Sequence, residues 1–386
     1  MKKIFEISQF GAKDDGKTLN TAVIQAAIDA CHAAGGGTVL CEAGVYLTGA
    51  LVLKSNVELH LAHGCKLVGS TRQEDYPFFI TPGWRPREHK GFLTAANAEN
   101  IAITGPGEIN GSGPAFFDTT EAVLEGCFYK KPPHPRPFMV LFHKCRNLRF
   151  EGASFIDSPF YTFWLMQCDD VRVDGITIRA DQRMINNDGL DIDACRNVVI
   201  ANCSFTTCDD CISLRAMREF FDGPGPFVTE NVTVTNCIMD TWCAGVRVGC
   251  PGDGTIRNCS FSNLVIKARR NGIIFHNPLV YLSPDKQSTG DFHDFVFSNI
   301  VIQALTRPIW LYAEEGIRLV RLSDISFSNI RAQGGLPCIV EGSSQTTIRN
   351  VQFSDLSVRT TGADALVCRH CEGIRLQNVE LANLPA

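Results

Sequence analysis

One phrase recurs along this chain. "NVVIANCSFTTC", "NVTVTNCIMDTW", "TIRNCSFSNLVI", "DFVFSNIVIQAL" and "TIRNVQFSDLSV" all open on a polar residue or Asn, run through short alternating apolar stretches, and end in a turn. The runs are rich in Val, Ile, Phe and Thr. Period-two alternation of such residues is the signal of a β-strand. The spacing of the phrase is mostly in the twenties, so each repeat holds several short strands. Repeats of that size predict an all-β fold, a single-stranded right-handed parallel β-helix, with one coil per repeat and coils stacked about 4.8 Å apart.

A solenoid has an open end to cover. "NTAVIQAAIDACHAAGGG", from Asn20 to Gly37, has helical spacing, with Val23, Ile24, Ala27, Ile28 and Cys31 on one stripe. It is expected to be an N-terminal capping α-helix, begun by Asn20 or Thr21 and stopped by the glycines. Residues 70–137 are richer in Pro, Gly and aromatics and are expected to be loop-rich coils; residues 138–386 are the regular coils. No linker divides them, so residues 1–386 are expected to form one domain. Two long loops, Gly83–Lys90 and Arg215–Pro226, are placed to close one end of a groove.

The net charge of −5 comes without basic blocks, which argues against a nucleic-acid partner. No apolar run reaches the roughly 18 residues of a membrane span. The N-terminus has no apolar region of the signal-peptide kind. The 17 cysteines mostly stand where a small core residue fits, as in "ANCSF" and "RNCSF". Together these features predict a reducing, cytoplasmic location; a leader replaced by a start Met would leave the same sequence on a secreted protein. Two CxxC pairs, Cys208/Cys211 and Cys368/Cys371, lie too far apart to form one zinc site and are read as repeat packing.

The chemistry gathers in "NNDGLDIDACRNVVIANCSFTTCDDCISLR". Asp209 and Asp210 follow Asp188 by 21 and 22 residues, close to one coil. Alternation points Leu190, Ile192, Ile212, Leu214, Val246, Val248, Ile273 and Phe275 inward. One outward column then reads Asp191, Ser213, Arg247, Ile274, and the next Asp193, Arg215, Gly249, His276. The turn before them carries Asp188, Asp210, Ala244 and Asn271. A lone Asp would be a solvated surface residue. Carboxylates on neighbouring coils instead raise one another's pKa, and an acid kept protonated beside ionised partners suits glycosidic cleavage.

From "FGAKDDGKTLNTAVIQAAIDAC" through "NIAITGPGEINGSG" and "NNDGLDID" to "CDDCISL" the chain resembles glycoside hydrolase family 28, the polygalacturonase-like pectin hydrolases. The resemblance implies a parallel β-helix and inverting hydrolysis of an oligo- or polysaccharide. Asp209 is then the general acid, Asp188 and Asp210 activate the water, and neither cofactor nor metal is needed. Two family motifs are altered. The histidine of Gly-His-Gly falls on Ala244, and the cations of Arg-Ile-Lys fall on Ile274 and His276. Expected substrate contacts are Asn186, Asp191, Arg215, Arg247, His276 and Tyr312. Arg247 stands one coil from the lost Arg and is expected to replace it as the reader of a sugar carboxylate, with Ile274 and Trp242 or Trp164 facing the ring. Two other readings of the same residues are a Ca²⁺-dependent polysaccharide lyase with an Arg base, and a sugar-binding β-helix without catalysis.

Overall fold

The structure, a computed structural model, describes residues 3–81, 87–123, 128–217, 227–281, 290–361 and 364–383. The chain divides into two compact units. One holds Met1–Thr81, Arg87–Leu190 and Val199–Cys208; the other holds Pro82–Pro86, Asp191–Val198 and Asp209–Ala386.

Both units are right-handed parallel β-helix. In the second, Val228–Thr241, Thr255–Ala268, Asp291–Ala304, Arg321–Gly334, Ile348–Thr360 and Arg375–Asn383 pair in parallel, coil upon coil. A second sheet stacks Ile212–Ala216, Ala244–Gly252, Asn271–His276, Ile309–Tyr312, Cys338–Glu341 and Leu366–Arg369. In the first unit one sheet runs through Ile4–Glu6, Gly37–Cys41, Val57–Leu61, Glu99–Thr104, Arg146–Glu151 and Asp169–Asp174.

The recurrent Asn has a structural role. Asn231, Asn236, Asn258, Asn263, Asn299 and Asn329 all have φ between 51° and 57°, the left-handed region that Asn tolerates better than most residues. A primary amide both donates and accepts, so identical residues on successive coils bond to one another. Asn263 donates to Asn236 at 3.1 Å, Asn299 to Asn263 at 3.2 Å and Asn329 to Asn299 at 2.7 Å. Those partners are 27, 36 and 30 residues apart, so a coil of about 22 residues does not hold in this unit. The extra residues fall between strands whose register is kept.

Inside, Phe261, Phe297, Phe327 and Phe353 stack with centroids 4.8, 4.9 and 5.1 Å apart and planes within 11° of parallel. Strand spacing imposes this distance, which is also favourable for offset stacking.

The predicted helix forms over Thr21–Ala33 and buries Ile24, Ala27, Ile28 and Cys31 against strands of the first coils. Its start differs from expectation. Asn20 makes no cap hydrogen bond; its amide instead bonds Lys13 and Thr18, and Thr21 Oγ1 accepts Gly49 N at 2.6 Å. Residues 70–137 are less loop-like than expected. They include coil strands at Glu99–Thr104 and Glu108–Asn110 and two antiparallel pairings, Phe78–Thr81 with Arg87–Lys90 and Asp118–Val123 with Phe128–Lys130. Of the two expected long loops, residues 83–86 and 218–226 lie outside the described residues, and Arg87–Lys90 is strand.

The Phe ladder gives a test. Phe327→Ala opens a cavity between two rings that cannot collapse without breaking register, so chemical denaturation should show a loss of about 3–5 kcal/mol. A loss under about 1 kcal/mol would mean that the ladder is not close-packed.

Candidate active site

In the second unit, the strand after Asp209 and Asp210 sets the frame. Ile212, Val246 and Ile273 are register partners, as are Ser213, Arg247 and Ile274, and Leu214, Val248 and Phe275. The alternation therefore stands as read for Ser213, Arg247 and Ile274 of the first outward column, and so do Asp210, Ala244 and Asn271 two residues earlier. Cys211 N donates to Ala244 O at 2.9 Å and Asn271 N to Cys243 O at 3.0 Å. The second column breaks. The register slips after Leu214, so that Ala216 rather than Arg215 pairs next, with Gly252. Gly249 takes φ +86°, and a Cβ there would meet Phe292 at 2.8 Å.

This face is not a solvated one. Asp191, Asp193 and Ser213 are fully buried, and Asp210 is 3% exposed. Asp191 Oδ1 lies 2.6 Å from Arg215 Nη2, and Arg215 Nε donates to Ser213 Oγ at 3.2 Å. Burial pushes Asp191 up to about 8, against the pull of Arg215 and with Asp210, Asp209 and Asp193 adding to the rise. Asp193 Oδ1 accepts Met217 N at 2.9 Å. Asp191 and Arg215 were expected to meet substrate; instead they hold each other beneath the surface.

Arg247 faces Asp210, Nε to Oδ2 at 3.7 Å. Burial pushes Asp210 up to about 6, with Arg247 opposing and Asp209 reinforcing. Thr241 fixes the loop by donating from Oγ1 to Asp209 O at 2.5 Å and accepting Cys243 N at 3.0 Å. One oxygen each of Asp209 and Asp210 and the Cys243 sulfur lie within 4.8 Å of one another. Burial and the two carboxyls push the Cys243 thiol well above its ordinary range. One sulfur and two oxygens beside a guanidinium fall short of the six to eight oxygens that Ca²⁺ takes.

His276 stacks on Trp310 with centroids 5.7 Å apart, lies 5.2 Å from Tyr312, and meets Glu314 Oε2 through Nε2 at 3.3 Å. Burial and then the Arg247 charge lower its pKa in spite of Glu314, which favours the neutral ring near pH 7. Ile274 is buried at 2%.

In the first unit, the "NND" turn is held from below. Arg136 Nη1 donates to Pro159 O at 3.0 Å and Ile185 O at 2.6 Å, and Nη2 to Asn186 Oδ1 at 3.0 Å. Its guanidinium lies over Phe117 and Phe160, 5.0 and 4.4 Å from the ring centroids. Asn186, expected at the substrate, is thus held by the scaffold in a turn with φ 61°. Fully buried Asn187 accepts Cys208 N at 2.5 Å and donates to Asp181 O at 3.1 Å. Asp188 is 2% exposed. Trp164 is also 2% exposed, enclosed by His89, Phe138 and Tyr161, so its ring is not presented to a ligand.

Sequence reading missed Arg136, Glu314 and Trp310. Trp310 alone had a signal, since alternation in "PIWLY" turns it outward with Tyr312. No described cysteine forms a disulfide; Cys208 and Cys211 are buried, whereas Cys368 is exposed.

Residues 31–383 match the model of Glycosyl hydrolases family 28, and the chain belongs to that family. It is 25% identical to the exo-poly-alpha-D-galacturonosidase of Dickeya chrysanthemi, over 92% of this chain and 71% of that one. It is also 25% identical to the endo-polygalacturonase of Pectobacterium carotovorum subsp. carotovorum, over 89% and 86%. The crystal structure of a hyperthermoactive exopolygalacturonase from Thermotoga maritima shares the fold, with a TM-score of 0.75 at 22% identity, covering 98% of this chain and 92% of that one. These relatives lend no support to the expected cytoplasmic placement. Among the described residues, no helix is long and apolar enough to cross a membrane.

The Asp191–Arg215 pair gives a stability test. Above pH 8, where Asp191 is ionised, Arg215→Ala strands a buried carboxylate and should cost about 3–5 kcal/mol in denaturant unfolding. The double variant Asp191→Leu/Arg215→Met removes both charges and should cost clearly less than the single change. Equal costs would show that the two groups do not act as a pair.

Proposed function

We propose that the chain hydrolyses an α-linked, uronate-containing pectic glycan by a single displacement with inversion. Asp209 gives its proton to the leaving oxygen, and Asp188 and Asp210 draw a proton from the attacking water. The water oxygen bonds to the anomeric carbon as the bond from that carbon to the leaving sugar breaks. The Asp209 proton ends on the leaving sugar, and the water's proton on the carboxylate base. Such chemistry asks for acid and base carboxyls roughly 6.5–9.5 Å apart, with room for a water between them.

The observation that supports this most is a single hydrogen bond. Cys208 N donates to Asn187 Oδ1, so the residue before Asp209 is tied to the residue before Asp188 across 21 residues of sequence. A second support is electrostatic. Arg247 favours ionised Asp210, as a base requires, while burial keeps that carboxyl basic. In this reading Arg247 positions a catalytic carboxylate instead of gripping a sugar, and His276 and Tyr312 contact the substrate. Asn186, Asp191 and Arg215 brace the site. The pectic substrate follows the names of the relatives. The lyase reading is disfavoured by the donor set at Asp209, Asp210 and Cys243.

Asp209→Asn should lower kcat on oligogalacturonate by about 10²–10⁴-fold with little change in KM, since general acid catalysis contributes about that much. Retention of a tenth of the activity would remove Asp209 from the role. Products should not absorb in the ultraviolet as an unsaturated lyase product would, and proton NMR of the first product should show an inverted anomer.

The pH profile carries a sign. A base must be ionised, so kcat/KM should rise with pH along an acid limb whose midpoint lies at about 6, where Asp210 titrates. Arg247→Ala removes the cation that opposes the burial shift, so the midpoint should move upward. A downward or absent shift would mean that Arg247 does not act on Asp210.

A further inference from the structure

Beyond Asp210 the same turn column runs on through Ala244 and Asn271 to Arg307. The register that aligns Ile212, Val246, Ile273 and Ile309 places it there, and Gly272 N donates to Arg307 O at 3.1 Å. Three strand steps separate Arg307 from Asp210, about 14 Å at 4.8 Å each. Trp310 stands in the neighbouring outward column, one step past Ile274.

The Arg307 guanidinium lies over the Trp310 ring, 5.4 Å from its centroid. Among the described residues it makes no ion pair, and its Nε donates no hydrogen bond although it is shielded from solvent. The other arginines of this sheet face are engaged, Arg215 with Asp191 and Arg247 with Asp210. The indole is itself braced. Tyr312 stacks on it with centroids 5.3 Å apart and planes at 25°, and His276 packs at 5.7 Å. Glu314 closes the His276 end of this aromatic floor, so the floor has an acidic end and a cationic end.

We propose that Arg307 and Trp310 form a binding subsite for a uronate ring of the glycan, at a distance from the bond that is cut. The indole takes the apolar face of the pyranose. The guanidinium, lying over the indole with its Nε unpaired, takes the carboxylate through a two-pronged fork. Glu314 repels the carboxylate from the opposite end and so fixes the direction of the ring. The subsite rests on the hydrolase reading for its substrate class, but it binds whether or not the bond is cut.

The test therefore separates binding from turnover. The full chain is titrated with an oligogalacturonate and with its methyl ester, followed by calorimetry and Trp fluorescence, and hydrolysis is assayed in parallel. Wild type should prefer the free acid. Arg307→Ala should weaken free-acid binding about ten- to a hundredfold, the value of a charge-assisted hydrogen-bond pair, and narrow the preference over the ester. Arg307→Lys, which keeps charge and fold but loses the fork, should fall between. Trp310→Ala should weaken both ligands. Equal binding of acid and ester by wild type, or unchanged acid binding by both Arg307 variants, overturns the subsite. Hydrolysis together with acid binding that does not depend on Arg307 would keep the proposed function and discard the subsite. Arg307-dependent binding without hydrolysis would do the reverse.

Discussion

Everything in this molecule depends on like residues stacking on like from coil to coil. An Asn held at positive φ turns the chain, and its amide bonds the Asn of the next coil. The pairing is self-complementary, so it works only in register. Register in turn stacks Phe261, Phe297, Phe327 and Phe353 at the strand spacing. A slip by one residue would turn the inward set outward. The outward side chains are therefore placed in steps of one strand, and the site inherits that ruler.

How much of this could be read in the sequence follows from what alternation encodes. It gave the direction of each side chain, and the columns through Ser213, Arg247 and Ile274 and through Asp210, Ala244 and Asn271 are found as read. It says nothing of what covers a side chain. Asp191 and Arg215 point away from the core and are buried all the same. Coil length was also hidden, because residues inserted between strands change the spacing of the repeats without changing the register. Gly249 breaks the second column for a local reason, a left-handed bend packed against Phe292, which a period-two pattern does not carry. Asn20 had the composition of a cap, but its amide serves the backbone at Lys13 and Thr18 instead.

The acids are held in an environment that resists their charge. Burial raises both Asp191 and Asp210, and each has a guanidinium that restrains the rise. The two pairs differ in geometry. Arg215 approaches Asp191 to 2.6 Å, whereas Arg247 stays 3.7 Å from Asp210. A close contact in low dielectric commits the carboxylate to its partner. A looser one supplies field without occupying the oxygens, which on the proposed function separates the carboxylate base from the one that braces the wall.

The positions of the cations make one argument. By resemblance, the family's histidine falls at Ala244 and its arginine at Ile274, and both positions are now apolar and buried. Arg247 and Arg307 stand nearby on the same ruler, Arg247 one strand step before Ile274 and Arg307 one step after it at the turn. Arg247 is drawn to Asp210. Arg307 lies on an indole with its Nε unpaired. On the proposed function and subsite, the charge that a single position would have presented is divided: one part tunes a carboxylate, and the other remains for a ligand farther along the face. On the proposed function, such a division keeps an anionic substrate recognisable while leaving Ile274 apolar, so that a sugar there is read by its ring face more than by its charge.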